Sequence, residues 1–597
     1  MMDERFPYHP LGPLPPEPDG RRRFRVWAPL PDSVDLVIQN ADGERRYPMH
    51  EEGHGYRVSD ALPAPAGTRY GFYLNGKTKK RYPDPASRYQ PLGVHEWSEV
   101  ADIRPARREG WAGRTLAEAV VYEVHVGTFT PEGTLRAAIG RLDELRELGV
   151  NTLEIMPLNQ TPGDRNWGYD GVANFALFRA YGKPADLTAF IDAAHERGIA
   201  VLIDVVYNHL GPEGNYLPKF FPVFTEKHHT PWGAAINFDD AGADGVRNYW
   251  LQNVRMWIAD YGADGLRIDA VHAIKDYSAK HFLEEVSEVV AEIEEAEARR
   301  IVTIAECDLN APRFLRSLAA GGYGMSGQWV DEFHHALHAL LTGETRGYYE
   351  DFGSLDHLER ALRDGYVYTG QYSQHRGRNF GTPLREPLRP TQLVVFLQNH
   401  DQVGNRMIGD RLLSTVGRDK YLLGAGTYLL SPFTPLIFMG EEYGEENPFP
   451  YFVHHGDPGL IEAVRKGRAA EFAAFHHDGH QVPDPQSEET FASARLTWPG
   501  HGEIREFYRK ALHLRAAAPK AYAFTDISVD RDGNLLTWTV RGQEYVCCAN
   551  FGDKPLDIAI TGELLLESNG ATYAADQSVL GLPGWGFAAL RVPGENY

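Results

Sequence analysis

Three acidic side chains stand where this chain could carry out chemistry on a covalent bond. Asp269, Glu306 and Asp401 each follow a short apolar run that is typical of a buried parallel strand. A carboxylate at the C-terminal end of such a strand points into the mouth of an α/β sheet or barrel. Three carboxylates are costly to gather there unless chemistry uses them. The cleavage of a sugar bond by acid, base and nucleophile requires such a group.

The neighbours of these acids suggest different roles for them. Arg267 stands two positions before Asp269, so on a strand both side chains face the same side. A guanidinium beside a carboxylate favours its ionised form, which makes Asp269 the preferred nucleophile. Glu306 must carry a proton to assist the leaving oxygen, and this requires surroundings that raise its pKa. Asp401 is then expected to hold sugar hydroxyls and to favour the positively charged transition state.

The elements that must position these acids alternate between strands and helices. Helical periodicity at 135–148 and 185–197 ends at Gly149 and Gly198, where C-cap glycines belong. This alternation indicates βαβ units and a parallel sheet, and eight strands predict an α/β fold with a (β/α)8 TIM barrel. The predicted strands are 120–125, 150–156, 199–205, 263–269, 301–306, 328–332, 392–399 and 435–440.

Short alternating strands flank the barrel pattern on both sides. We therefore predict an N-terminal β-sandwich at 1–112, a catalytic barrel at 113–518 and a C-terminal β-sandwich at 519–597. Packing of the first sandwich on the barrel is the default expectation, and glucan binding by it stays open. The segments 208–240 and 343–390 interrupt the alternation, and long insertions at a barrel mouth usually shape a binding site.

Composition excludes several classes of function. The formal net charge of -22 would repel phosphate, so we expect no nucleic-acid partner. The chain has 3 Cys without zinc-type spacing, a start unlike a secretory signal and no apolar run long enough for a bilayer. We expect a cytoplasmic protein with no membrane contact, no cofactor and no metal.

The patch at 204–209 and the three acid-bearing patches resemble the four signature regions of the α-amylase superfamily of glycoside hydrolases, in the same order along the barrel. The resemblance implies the three roles argued above and a double displacement with retention at the anomeric carbon. It also implies that Asp204 and Asn208 support the site from behind. The residues that it implies for substrate binding are Tyr169, His209, Arg267, His272 and His400. Many amylases have a Lys-His pair where this chain has His272 without the Lys.

Segments outside the signature regions narrow the resemblance. Residues 83–95, 370–373, 398–406, 448–452 and 482–486 look like the malto-oligosyltrehalose trehalohydrolase family. This implies hydrolysis of the α-1,4 bond next to the terminal trehalose of malto-oligosyltrehalose, with release of trehalose. It also implies a substrate supplied by a maltooligosyltrehalose synthase. The two long insertions and the stretch 440–444 are our candidates for the pocket that accepts the leaving trehalose.

Other interpretations stay open at this point. A glycogen branching enzyme shares the sandwich-and-barrel plan, although branching enzymes usually place a Glu directly after the acid equivalent to Asp401. A non-catalytic glucan-binding protein and a metal-dependent enzyme are further alternatives. Trp232 and Phe449 fit sugar platforms and ordinary packing equally well, and His125 fits a structural role better than catalysis. Surface positions are expected for four histidine pairs: 228–229, 334–335, 454–455 and 476–477. Chain-length preference and oligomeric state are not readable from the sequence.

Overall fold

A closed barrel of parallel strands forms the centre of the molecule, as predicted. The computed structural model describes residues 6–77, 79–106, 109–384, 388–472, 481–500 and 502–592. Within these ranges eight strands close the barrel in chain order. They are β1 (Val121–Val124), β2 (Thr152–Ile155), β3 (Ala200–Val205), β4 (Gly265–Ile268), β5 (Val302–Glu306), β6 (Gly327–Trp329), β7 (Leu393–Phe396) and β8 (Thr434–Phe438).

The sixth strand is shorter than predicted. The sequence indicated a strand at 328–332, but β6 ends at Trp329 and the helix Asp331–Thr342 begins two residues later. Asp331 and Glu332 occupy the first turn of that helix, where the helix dipole favours acidic residues. The acids at this strand end therefore belong to a helix that starts at the barrel mouth.

Helices follow most of the barrel strands and cover their outer faces. The larger helices in the described ranges are Pro184–Glu196, Ala243–Arg255, Phe282–Glu297, Asp331–Thr342, Leu412–Leu429, Pro458–Glu471 and Glu503–Ala516. The predicted helix 135–148 is present as Leu135–Ala138 and Leu142–Leu148, joined by a 3-10 turn that contains Gly140. Gly149 caps it with φ +113° and an N–H bond to the carbonyl of Leu145, as expected of a C-cap glycine. No helix of the described residues is long and apolar enough to cross a bilayer.

Two four-stranded antiparallel sheets precede the barrel in the described chain. One contains Gly12–Pro13, Phe24–Trp27, Tyr56–Val58 and His50–Gly53, and the other Ser98–Glu99, Arg69–Leu74, Val34–Asn40 and Gly43–Pro48. The ring of Phe24 in the first sheet lies 4.8 Å from that of Tyr70 in the second, so the two sheets share a core. Trp27 reaches beyond this core and packs on Phe221 of the barrel at 4.9 Å. This arrangement matches the expected packing of an N-terminal sandwich on the barrel.

The described residues after the last barrel helix form two further antiparallel sheets. Five strands, Ile527–Asp532, Leu535–Val540, Tyr545–Asn550, Phe587–Arg591 and Glu563–Glu567, make one sheet, and Leu556–Ala559, Val579–Leu582 and Thr572–Ala574 make the other. Trp538 is buried and donates its indole N–H to the carbonyl of Leu430 at 3.0 Å. The C-terminal sheets are thereby tied to the barrel. The exact domain boundaries at 112 and 518 stay predictions.

Replacement of Gly245 by Ala tests the contact between the N-terminal sheets and the barrel. A Cβ atom at Gly245 would lie 1.9 Å from the Trp27 ring, so one side must move. We expect this substitution to destabilise the protein by about 1–3 kcal/mol, the usual cost of overpacking. Gly467→Ala is the matched control, because it lies in the helix Pro458–Glu471 with nothing within 4 Å. It should be neutral or stabilising by up to about 1 kcal/mol. Thermal unfolding of both variants measures the difference, and equal midpoints would contradict the packing argument.

Candidate active site

Arg267 is the charged centre of the barrel mouth. Its side chain is fully buried on β4, and its guanidinium lies over the Trp329 ring at 4.2 Å. Nη1 donates to the Asp204 carboxylate at 2.9 and 3.1 Å and to Oδ1 of Asp269 at 2.9 Å. The parallel register of β3 and β4 pairs Asp204 with Arg267, which places the first ion pair by strand geometry alone. One buried cation thus holds two carboxylates, and Asp204 is the more deeply buried of the two.

Asp269 is fixed by bonds to both of its carboxylate oxygens. Besides the bond from Arg267 to Oδ1, the amide of Asn208 donates to Oδ2 at 2.8 Å. The backbone N–H of Asp269 donates to the Val205 carbonyl at 3.0 Å and continues the strand ladder. Ala270 then adopts φ +39°, a left-handed conformation that is strained for a residue with a side chain. The strain occurs at the turn that presents this carboxylate to the barrel mouth.

Glu306 lies beside Asp269 in a different environment. Its Oε2 accepts the backbone N–H of Ala270 at 2.5 Å, which joins the ends of β4 and β5. Burial raises the pKa of the Glu306 carboxyl well above its usual range; Arg267 opposes this shift, and Asp269 adds to it. The surroundings therefore favour the protonated acid, which is the condition that the sequence analysis set for a proton donor.

His400 is the second buried cation of the mouth. Its Nδ1 lies 2.5 Å from Oε1 of Glu123, and its backbone N–H donates to Oε2 of the same carboxylate at 2.9 Å. Burial lowers the pKa of His400, but Asp401 and Glu123 outweigh it and raise the pKa to about 9. The Tyr169 ring stacks on the imidazole at 5.0 Å, and its hydroxyl donates to Asp204 at 2.6 Å. Tyr169 and His400 form one stacked unit beside the two central carboxylates.

Asp401 is the most accessible of the three predicted acids. Its side chain is 44% exposed, and its Oδ1 lies 3.5 Å from Nε2 of His400. Asn399 rather than Asp401 caps the helix His400–Gly404, so the helix-cap alternative does not explain this acid. Asp401 lines a cavity of about 370 Å³. The other lining residues include Cys307, Asp308, Asp331, Glu332, Tyr348, Asp351, Tyr368, His375 and Arg376.

The remaining predicted substrate contacts lie around the same mouth. His209 bonds to Oδ1 of Asn208 at 2.6 Å and to the Tyr169 carbonyl at 2.9 Å. Trp232 lies at the tip of a hairpin in the first long insertion and is half-exposed. Its ring stacks on that of His209, with the ring centres 4.8 Å apart. Its exposure favours the platform interpretation. His272 follows Asp269 by three residues, and its Nδ1 lies 3.9 Å from Oδ1 of Asp308.

Burial and hydrogen bonding distinguish the interpretations of three further parts of the wider site. Phe449 is fully buried against Trp167, so it packs in the core and is no sugar platform. Glu441 and Glu442 of the stretch 440–444 are buried and bond to buried tyrosines, so these two side chains do not line an open pocket, and a role for the stretch in the leaving-side pocket stays a prediction. His125 has the predicted structural role, with partners on both ring nitrogens.

The expectation for the histidine pairs was only partly right. His334 and His455 are buried and not at the surface. His334 is held between the carbonyl of Leu397 and the Tyr349 hydroxyl, inside the helix packing. The pair 476–477 lies outside the described residues.

Sequence reasoning missed Glu123 and the acids that line the cavity. Glu123 is buried on β1 in a run that reads as an ordinary strand, and only its contact with His400 reveals a role. Burial raises the pKa of Asp331 to about 7, with Asp308 and Asp401 adding to the shift. Burial likewise raises the pKa of Glu332 to about 7. The adjacent acids Asp331 and Glu332 after a strand were the sequence signal that could have indicated this cavity.

This fold and this arrangement of carboxylates define a class of protein. Residues 98–227 match the family model described as "Alpha amylase, catalytic domain". The structure superposes on a solved structure titled as a putative alpha amylase from Salmonella typhimurium with a TM-score of 0.87. The two share 37% identity, covering 97% of this chain and 99% of that one. The barrel is the catalytic barrel of an α-amylase-type glycoside hydrolase.

Two curated relatives carry a more specific name. A protein from a Rhizobium species named malto-oligosyltrehalose trehalohydrolase is 43% identical over 590 residues, covering 96% of this chain and 98% of the relative. The protein of the same name from Saccharolobus solfataricus is also 43% identical, covering 92% and 94% of the two chains. This chain belongs to the malto-oligosyltrehalose trehalohydrolase family.

Replacement of Glu123 by Gln tests its hold on His400. The imidazole has a pKa of about 9 in the folded protein and about 6.5 when unfolded, so the pair stabilises the fold fully below about pH 6.5. That stability is lost as pH rises through about 9. We expect Glu123→Gln to cost about 3–5 kcal/mol at pH 6 and clearly less at pH 10. Denaturant unfolding at both pH values measures the cost. The exposed Glu147→Gln is the control, and an equal cost at both pH values would refute the charge argument.

Proposed function

We propose that this chain is a retaining glycoside hydrolase that cleaves the α-1,4-glucosidic bond next to the terminal trehalose of malto-oligosyltrehalose. The products are free trehalose and a shortened maltodextrin. Asp269 is the nucleophile, Glu306 the acid and base, and Asp401 the residue that holds the sugar and favours the transition state. The names of the curated relatives support the substrate.

One observation supports the chemistry above all others. Asp269 and Glu306 are joined through the Ala270 N–H, yet their surroundings differ. Asp269 accepts a charged bond from Arg267 and an amide bond from Asn208, both of which favour a carboxylate. Glu306 accepts one backbone N–H, and burial raises its pKa. Neighbouring carboxyls with opposed surroundings are the arrangement that retaining glycosidases use.

The reaction proceeds in two displacements. Asp269 attacks the anomeric carbon while Glu306 gives its proton to the glycosidic oxygen, so trehalose leaves and a glycosyl ester forms on Asp269. Glu306, now ionised, takes a proton from water, which attacks the same carbon and releases the maltodextrin. Each step inverts the configuration at the anomeric carbon, because the incoming group attacks the face opposite the leaving group. Two inversions retain the α configuration.

The other predicted residues are proposed to bind the sugar at the cleavage point. The Tyr169 and His400 pair offers a flat face and a cationic ring nitrogen to it. His209, with Trp232 stacked on it, borders the sugar, while Arg267 acts through Asp269. His272 and the cavity beside Asp401 lie towards the leaving group. Supply of the substrate by a maltooligosyltrehalose synthase and a cytoplasmic location are parts of the same proposal, and the oligomeric state is left open.

Digestion of maltotriosyl-trehalose tests this function directly. We expect equimolar trehalose and maltotriose, with the α-anomer of maltotriose appearing first in proton NMR spectra because the mechanism retains configuration. Asp269→Asn should lower kcat by at least about 10⁴-fold, in line with the loss of a nucleophile. Transfer of the glucan to an added acceptor instead of water would favour a branching enzyme. Full activity of Asp269→Asn would remove the proposed nucleophile, and binding without turnover would favour a glucan-binding protein.

Replacement of Glu306 by Gln tests the proton donor. Because the pKa of Glu306 is raised, the protonated acid persists to a higher pH than an ordinary glutamate allows. The rate should then fall only as pH rises through that elevated value, and Glu306→Gln should remove this basic limb of the pH profile. We expect kcat to fall by about 10²–10⁴-fold on maltotriosyl-trehalose. The loss should be much smaller on a maltosyl fluoride, whose leaving group needs no proton. Equal losses on both substrates would assign Glu306 a structural role.

A further inference from the structure

Three potential metal ligands from two strand ends meet beside the candidate catalytic acid. His272 follows β4, while Cys307 and Asp308 directly follow Glu306 at the end of β5. The imidazole nitrogen, the thiol sulfur and a carboxylate oxygen lie within 4.8 Å of one another. Zinc-type spacing is absent from the sequence because the ligands come from segments about 35 residues apart, joined only by the barrel register.

The atoms of this His272–Cys307–Asp308 cluster are incompletely used by the protein. His272 Nδ1 is buried and has no hydrogen-bonding partner among the described residues. Cys307 is 2% exposed, and its sulfur accepts the Leu309 N–H at 3.4 Å, a weak bond that leaves a sulfur lone pair for a ligand. Asp308 offers Oδ1 to the cluster, while its Oδ2 bonds to Arg376 at 3.0 Å. A buried nitrogen lone pair or N–H without a partner is costly, and a ligand at this point would satisfy it.

We propose that this cluster is a binding site for a borderline-soft divalent metal ion of the Zn²⁺ class, and that the bound ion reversibly blocks the cavity beside Asp401. A thiolate, an imidazole and a carboxylate form a donor set that selects zinc, cobalt or copper over magnesium and calcium. The Cys307 thiol gives its proton to the buffer as the metal–sulfur bond forms. Three protein ligands leave a fourth position open towards the cavity.

The geometry requires only small movements. Ligand atoms in a tetrahedral zinc site lie roughly 3.3–3.7 Å apart, as follows from its bond lengths. His272 Nδ1 and Asp308 Oδ1 are already 3.9 Å apart, and both side chains are about one-third exposed, so they can rotate towards the buried sulfur. Cys307 is the fixed ligand, and the two mobile residues close on it.

The position of the ion explains why it would inhibit. Cys307 and Asp308 line the same cavity as Asp401, and Glu306 is the residue directly before them. A divalent cation there, with the water or anion that completes its coordination, fills space that a substrate needs. Metal binding itself does not depend on the proposed function, whereas the inhibition does.

Cobalt titration tests the binding without any substrate. Co²⁺ added to the full-length protein should produce thiolate-to-cobalt charge-transfer absorption in the near ultraviolet at one equivalent, and Zn²⁺ should displace it. Cys307→Ser should abolish this band, because it replaces the soft sulfur with a hydroxyl of similar size. Cys548→Ala is the matched control, because Cys548 is buried in the C-terminal sheet far along the chain. A missing band in the unmodified protein, or a band that survives in Cys307→Ser, would overturn the site.

Inhibition of maltotriosyl-trehalose hydrolysis tests the consequence. Zn²⁺ should inhibit the unmodified enzyme and the Cys548→Ala variant, EDTA should restore the rate, and Mg²⁺ or Ca²⁺ should have no effect. Cys307→Ser should raise the inhibitory Zn²⁺ concentration at least about tenfold. Should Cys307→Ser fail to fold, Asp308→Asn removes one ligand from a position that is about one-third exposed and should weaken both the band and the inhibition. Cobalt absorption without inhibition would refute the block alone, and absent turnover without metal would refute the proposed function instead.

Discussion

The burial of one arginine is the constraint on which the barrel mouth depends. A guanidinium with no exposed surface is tolerable only when anions and an aromatic face replace its water, and Arg267 has Asp204, Asp269 and Trp329 for this purpose. Asp204 lies on β3, Asp269 directly follows β4, and Trp329 lies on β6. Closure of the barrel therefore brings together the groups that stabilise the buried charge of Arg267. That charge in turn orients Asp269. Removing either carboxylate would leave the cation under-compensated.

A second ion pair repeats this logic on the opposite side of the mouth. Glu123 on β1 bonds to both the ring and the backbone of His400, and both side chains are buried. The stacked Tyr169 connects the two pairs, because it contacts the His400 ring and bonds to Asp204. The result is a continuous polar network in which hydrogen bonds and stacking hold Arg267, Asp204, Tyr169, His400 and Glu123. Such restraint holds reactive groups in place before a substrate arrives.

Acidic groups dominate the region beyond this network. Asp308, Asp331, Glu332, Asp351 and Asp401 all border one cavity, and burial raises the pKa of two of them to about 7. A neutral carboxyl can donate as well as accept a hydrogen bond, which suits the many hydroxyls of a sugar. Arg376 is the arginine in the described lining of this cavity, and it forms an ion pair with Asp308. The long insertion at 343–390 contributes much of this lining, in agreement with the general role of insertions at a barrel mouth.

Local sequence patterns were sufficient to predict the barrel, the flanking strands, the order of the elements and the three acids at strand ends. These features depend on local patterns, namely apolar runs, glycine caps and residue spacing. Such patterns can be recognised in a short stretch of sequence without knowledge of its distant contacts. Strand ends were less certain, as the early end of β6 shows, because the first turn of a helix competes for the same acids.

Contacts between side chains far apart in the sequence became visible only in the folded protein. Glu123 and His400 are 277 residues apart, and no periodicity marks their contact. Phe449 and Trp232 are both aromatic loop residues, yet closure of the fold buries the first and exposes the second. The His272–Cys307–Asp308 cluster likewise exists only because β4 and β5 pair in register. Long-range contacts are set by packing and burial, and these are properties of the whole chain that no short stretch of sequence contains.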